Sequence, residues 1–270
     1  MDYKYFTISI SNMVATVAFN RPDKANALNR DSWREMQEIF ESLSINKLVR
    51  VIILSGEGNN WCAGIDLELL LSMNNLDLSQ GEARKREEVR SFIKFMQTSI
   101  SSIENCHKPV LAAIHNGCIG GGVDIATACD IRYCTSDAYF TIKEIELGLV
   151  ADLGTLQRLP KIINSGQVAE MAFSGRKVFG PEAQDIHLVS KTFKDKETMM
   201  THVNQIASLI AKHSPLAIKG TKEILKYTRD HTVEDSLNYV ATYNAAYLST
   251  KDIQEAFTAK LEKRDPDYLG

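Results

Sequence analysis

The chain has 270 residues, 44% of them hydrophobic and 24% charged, with a formal net charge of −3. This is an ordinary globular balance with room for one large domain, or one domain and a smaller helical appendage, and it excludes disordered and fibrous classes. So mild a charge gives no electrostatic footprint for nucleic acid or an anionic membrane, so local basic residues have to hold any anionic ligand.

Residues 4–19 alternate as strands do, with Thr, Ile and Val enriched, and predict two short strands around a turn at Ser11-Asn12. NRPDKANAL (20–28) is punctuated by Pro22 and Asn26 and predicts a loop. Helical periodicity spans 31–45, with Met36, Ile39, Phe40 and Leu43 on one face and Asp31 or Ser32 as N-cap. VRVIILSG (49–56), an apolar β-branched run ended by glycine, predicts a buried parallel strand. A charged segment over 77–91 leads to a helix through Phe92, Phe95, Met96 and Ile100. HKPVLAAIHNG (107–117) follows as a second buried strand, GGGVDIATACD (120–130) as a glycine-rich turn opening a helix, and IRYCTSD (131–137) as another strand. Such alternation implies βαβ units with right-handed crossovers. From about 161 the pattern is almost all helical, with an interruption over 183–193. The expected organisation is an α/β core over 1–195 and a helical region over 196–270.

The cysteines Cys62, Cys106, Cys118, Cys129 and Cys134 form no CxxC pair and no zinc spacing with His, so free thiols in a reducing compartment are expected. MDYKYFTISI lacks a basic region followed by an apolar stretch and is too acidic and Arg-poor for a transit peptide. DPDYLG is no peroxisomal or retention signal, and no apolar run is long enough to span a bilayer. A cytoplasmic location without membrane insertion is the default expectation, with an organelle left open.

Two glycine-containing turns, WCAGIDL (61–67) and GGGVD (120–124), each follow a buried strand. Ligands of open α/β sheets sit beyond the carboxyl ends of strands, so both turns can face one pocket. Glycine lets backbone N–H groups approach a ligand, and Gly121 falls at a helix N-terminus, where unpaired amides favour developing negative charge. Two converging amides make an oxyanion hole able to hold an enolate, with each donor worth about 3–4 kcal/mol. Asp124, three residues on, shares the helix face of Gly121. Glu144 and Asp152 follow in KEIELGLVAD, which reads as a loop lining a pocket, where burial raises carboxylate pKa values toward neutrality. Plainer roles compete: GGGVD as a tight strand–helix junction, Glu146 as a solvated rival of Glu144, and Asp152 as an N-cap for a segment starting at Leu153. Cys62 reads as packing and His115 as structural.

NRPDKANALN, WCAGIDL, HNGCIGGGVDIATACDIRYC, SPLAIKGTKEIL and LEKRDPDY, in this order over almost the whole chain, resemble the enoyl-CoA hydratase/isomerase (crotonase) superfamily. The resemblance implies an α/β fold, a crotonase-type spiral of βαβ units with a helical C-terminal trimerisation region. It also implies coenzyme A thioester substrates, homotrimers often paired into hexamers, and no separate cofactor, coenzyme A being part of the substrate. The oxyanion amides would be those of Ile65 and Gly121. Coenzyme A would meet Lys24, Ala25, Ala27, Ala63, Gly64, Ile65, Asp66, Leu67 and Gly122.

Typical hydratases carry Glu at the GGGxE position and a second Glu 20 residues on; here Asp124 stands first, Glu144 is present, and Asp152 follows 8 residues later. The run from GGGVD to LQRLP is similar to that of Δ3,5-Δ2,4-dienoyl-CoA isomerases, whose acids are Asp, Glu and Asp at these spacings. Asp is one methylene shorter than Glu and reaches less well to a water at Cβ, whereas shifting two conjugated double bonds needs acids at two points along the chain. The expectation is Glu144 at C2 and Asp152 at C6, or the reverse, with Asp124 orienting the dienolate or tuning its neighbours. A 2-enoyl-CoA hydratase and a non-catalytic acyl-CoA-binding protein are the alternatives. Two positions depart from the family: Lys260 where Phe is usual and His187 where Gly is usual. Lys260 and Lys263 either reach a neighbouring subunit's coenzyme A or face solvent.

Overall fold

A computed structural model describes residues 3–74, 81–248 and 251–268. Strands β1 (Phe6–Ser11) and β2 (Val14–Phe19) form a hairpin in register from Phe6–Phe19 to Ser11–Val14. The turn is Asn12-Met13, one residue beyond the expected place, because both residues take left-handed φ values of 50° and 64° as a type I′ turn requires. Helix α1 (Arg30–Ile45) follows the NRP loop. Its N-cap is Asn29, whose side chain accepts the Ser32 amide at 2.9 Å, and not Asp31 or Ser32. Asn29 holds the extended backbone a cap needs, while Asp31 and Ser32 already lie in the first turn.

Next come β3 (Val51–Gly56), α2 (Leu67–Asn74) and α3 (Glu82–Asn105). The charged stretch from Glu82 is already helical, laced by pairs such as Lys85–Glu88, so α3 starts well before the expected apolar face; residues 77–80 lie outside the described residues. Strand β4 (Val110–Ile114), β5 (Gly117–Ile119), α4 (Gly121–Ala128), β6 (Ile131–Thr135) and β7 (Tyr139–Thr141) lead to a 3₁₀ turn over Lys143–Leu147 and the short helix α5 (Thr155–Arg158). The remainder runs α6 (Ser165–Ser174), β8 (Val178–Phe179), α7 (Gly180–Asp185), β9 (Lys191–Phe193), α8 (Lys196–Ala211), α9 (Pro215–Thr228), α10 (Val233–Tyr247) and α11 (Lys251–Glu262). The interruption expected over 183–193 starts earlier, at Val178, and consists of β8, the short α7 and β9.

The main sheet has the order β1-β2-β3-β4-β6-β9, parallel throughout except for the first pair. The apolar run of β3 is continuous because both sheet faces are covered. Ile52 and Leu54 pack toward α1 and α3, among Trp33, Met36, Phe40 and Ile100. Val51 and Ile53 point the other way, against Met199, Val203 and Ala207 of α8. Each such buried side chain stabilises the fold by about 1.5–3 kcal/mol. A smaller sheet, β5-β7-β8, stands beside the carboxyl ends of β3 and β4, and there the two glycine turns meet.

Candidate active site

The segment after β3 runs alongside β5. Cys62 N–H donates to Gly117 O at 3.0 Å, and Ile119 N–H donates to Cys62 O at 3.0 Å. On its other side it pairs with the NRP loop: Ala63 N–H donates to Ala25 O at 3.0 Å, Leu28 N–H to Gly64 O at 2.7 Å, and Asp66 N–H to Leu28 O at 3.0 Å. These ladders press the two turns together. Gly64 has φ +78°, and a Cβ there would lie 2.6 Å from Ile119 O and 2.7 Å from Gly121 N, so only glycine fits. A Cβ on Gly121 would in turn sit 3.5 Å from Ile65 N. The Ile65 and Gly121 amides are thus neighbours, and neither donates a hydrogen bond among the described residues. Gly121 opens α4 after Gly120, whose φ is +51°. The pair is suited to cradle an anion at a helix start.

The three acids occupy different surroundings. Asp124 is fully buried on α4, with its Oδ1 accepting the Thr155 amide at 2.5 Å and its Oδ2 buried without a partner among the described residues. Burial pushes its carboxyl up to about 6, and the nearby Asp152 charge adds to the rise, while the Thr155 hydrogen bond opposes it. Glu144 extends from the 3₁₀ turn over the oxyanion turn: a Cβ on Gly120 would come 3.1 Å from Glu144 Oε1. Its Oε2 is also buried without a partner among the described residues. Burial, then the Asp124 charge, then that of Asp152 push Glu144 up to about 7. Asp152 sits in the following loop and is raised by partial desolvation, its own backbone amide opposing the rise. Its carbonyl accepts Gln97 Nε2 at 2.6 Å. Asp152 does not cap a helix; α5 starts after Gly154, and the carboxylate serving its first amide is that of Asp124, 31 residues away.

A cavity of about 470 Å³ joins these parts. Ile65, Gly121, Glu144 and Asp152 line it, with Arg86 of α3 as a further charged group, and Val89, Ile93 and Met96 of α3 with Leu149, Val150 and Leu153 supply apolar walls. Asp124 lies behind the wall, not on it. Gly122 is likewise buried away from the cavity, where a Cβ would meet Cys62 O at 2.6 Å. Glu146 is exposed and paired with Lys143, which leaves Glu144 as the acid of that turn facing the cavity. Cys62 is buried and its thiol pushed up to about 12 by desolvation, fitting a packing role. His115 Nε2 bonds Gly58 O at 3.0 Å, away from this cavity.

In the flanking loops Lys24 is exposed and paired with Glu68 at 3.3 Å, Ala25 takes a left-handed φ of 50°, and Ala27 and Ala63 are half-buried. Leu67 is exposed at the start of α2. The Asp66 carboxylate is engaged by Arg21, which also donates to Ala27 O at 3.0 Å, and by the Glu68 amide at 2.9 Å. Arg21 therefore clamps the NRP loop onto the oxyanion turn, a role not read from the sequence. Buried Asn26 adds to it, bonding Arg21 N, Glu57 O and Asn60 O at 2.8 Å each. The legible hint was the turn-forming Asn26 beside Pro22; its partners, 31 and 34 residues on, had no local signal. His187 has a φ of 64°, a backbone region that explains why glycine suits this position, and Lys260 is exposed on α11.

The fold and the paired amides beside buried carboxylates are a geometry able to hold an anionic oxygen next to acid–base groups. Residues 9–270 match the family Enoyl-CoA hydratase/isomerase, and the chain belongs to that family. It is 46% identical over 268 residues to the mitochondrial Delta(3,5)-Delta(2,4)-dienoyl-CoA isomerase of Mus musculus, covering 98% of this chain and 82% of that protein. With the peroxisomal Delta(3,5)-Delta(2,4)-dienoyl-CoA isomerase of Arabidopsis thaliana it shares 47% identity, covering 99% and 98%. The crystal structure of enoyl-CoA hydratase from Bacillus anthracis superposes with a TM-score of 0.89 at 28% identity, covering 99% of this chain and 100% of that one. The expected spiral of βαβ units is thus the observed fold class.

Proposed function

We propose that this protein is a dienoyl-CoA isomerase that converts 3,5-dienoyl-CoA thioesters to their 2,4-isomers in fatty-acid β-oxidation. The observation that carries the reading is the division of the acids: Glu144 and Asp152 face one apolar cavity together with the Ile65 and Gly121 amides, while Asp124 stands behind its wall. Glu144 takes a proton from C2, so the C2–H electron pair flows into a dienolate whose oxygen the two amides hold. Asp152 gives a proton to C6, and both double bonds move one position toward the thioester. Asp124 contributes negative charge beside Glu144, which keeps that acid a stronger base than a solvated carboxylate. A hydratase would want the acid at position 124 to face the cavity and hold the attacking water with Glu144, and Asp124 is buried behind the wall and committed to the Thr155 amide instead. The mid-forties identity to proteins named as this isomerase, against 28% to a named hydratase, supports the same choice.

The loops around Lys24–Ala27 and Ala63–Leu67 carry the coenzyme A moiety, and the protein works as a homotrimer or a hexamer of two trimers built through α9–α11. Among the described residues no helix is long and apolar enough to cross a membrane. One assay tests the reaction. With 3,5-octadienoyl-CoA, absorbance of the 2,4-dienoyl thioester is expected to grow, and with crotonyl-CoA little change is expected. Loss of enoyl absorbance from crotonyl-CoA, with no conversion of the diene, would assign the chain to the hydratases; inertness toward both would make it a binding protein.

A further inference from the structure

Behind the apolar cavity lies a second one of about 740 Å³, and the two share a wall. Asp152 and Leu153 are the residues common to both linings. Leu153 is buried and apolar, so Asp152 is the titratable group at the partition. The far side is polar, with Gln97, Ser101, Arg132, Gln157, Arg158 and His187 among its lining residues. Such a lining gives ordered water the several partners it needs, and the volume holds a chain of waters. Glu144 is placed differently. It lines the apolar cavity and not the polar one, with Oε2 buried and unpartnered among the described residues. An acyl chain filling that cavity expels its water, which leaves Glu144 without an exit for a proton and Asp152 with one.

We propose that the polar cavity is the route by which Asp152 exchanges its proton with solvent while substrate is bound, so that the two acids hand hydrogen to the acyl chain from different sources. This rests on the isomerase reading above. With a 2,4-dienoyl thioester bound, the Asp152 carboxylate removes a proton from C6, and the C6–H electron pair enters the dienolate held by Ile65 and Gly121. The Asp152 O–H gives its proton to cavity water and takes up a solvent proton in return. Returning that proton to C6 regenerates the thioester with solvent hydrogen at C6. At Glu144 the C2 proton stays on the acid until it is returned or product leaves.

The test uses 2,4- and 3,5-dienoyl-CoA in D₂O, with deuterium at each carbon read by NMR or mass spectrometry and isomerisation read by absorbance. Recovered starting thioester is expected to gain deuterium at the position served by Asp152 faster than it isomerises, and to gain it at the other position more slowly. The Asp152→Asn variant identifies the Asp152 position as the one whose exchange disappears. Gln157 is exposed on α5, its side chain makes no hydrogen bond among the described residues, and it borders the polar cavity but not the apolar one. Gln157→Trp is expected to lower the exchange-to-isomerisation ratio at the Asp152 position several-fold, whereas Gln157→Ala keeps or raises it. Equal exchange at both positions in the unmodified protein, or a ratio the same in Gln157→Trp and Gln157→Ala, overturns the proposal. Failure of the isomerase reading is seen separately, as no isomerisation by the unmodified protein.

Discussion

Asp124 and Glu144 illustrate how burial brings a carboxylate's pKa toward neutral pH. Each keeps one oxygen buried without a partner among the described residues, and each is raised chiefly by desolvation. For Glu144 the second cause is the Asp124 charge. A base must be ionised to act, so kcat/KM with 3,5-dienoyl-CoA is expected to rise with pH and level off above the free-enzyme value of about 7. Asp124→Asn keeps an oxygen for the Thr155 amide but removes the charge that raises Glu144, so the rising limb moves to lower pH. A limb that stays in place, or moves up, would mean that Asp124 does not act on Glu144 through its charge. The sequence allowed this pairing only in outline. Acid types and spacings were readable along the chain, but the choice of Thr155 as partner, and the burial of Asp124 behind the cavity wall, arise from packing across 31 residues.

At the scale of elements, the proposed oxyanion hole depends on two turns pressed backbone to backbone. The sequence showed the turns and the strands that deliver them, since apolar β-branched runs and glycines are local signals. It gave no sign of the small sheet that locks them, because β5 and β7 are three residues each and carry no periodicity. Nor could it show that Arg21 bonds Asp66 across 45 residues. Gly64 is the sharpest point of this contact. In Gly64→Ala the methyl group meets Ile119 O at 2.6 Å and Gly121 N at 2.7 Å at a left-handed φ, so the turns must part. The fold is expected to lose about 1–3 kcal/mol in denaturant unfolding. Separating the amides of Ile65 and Gly121 is expected to lower kcat by about 10²–10³, as loss of an oxyanion donor does. Full kcat per folded molecule in a destabilised variant would leave the turns structural and move the oxyanion hole elsewhere.

For the whole molecule, the α/β core and the helical end were both legible, but the role of the helices was not, because amphipathic periodicity does not say what a face meets. Helix α8 turns its apolar face onto the sheet through Met199, Val203 and Ala207. Helices α9 and α10 pack so closely that a Cβ on Gly220 would meet the Tyr243 ring at 2.6 Å. Beyond that contact Leu225, Val233, Leu237, Phe257 and Leu261 of α9–α11 remain between 62% and 85% exposed. Apolar side chains crowded on three consecutive helices are costly in water and mark an interaction surface. The trimer proposed above covers them with copies of the same chain. Light scattering behind size exclusion is therefore expected to give three or six times the 30.2 kDa of one chain. Leu237→Glu combined with Leu261→Glu puts charge on this surface without touching the sheet, and is expected to yield a monomer with unchanged far-ultraviolet circular dichroism. An unmodified protein that runs at 30.2 kDa across micromolar concentrations would remove the trimer. A double variant that keeps the multiple mass would instead move the subunit contact off these helices.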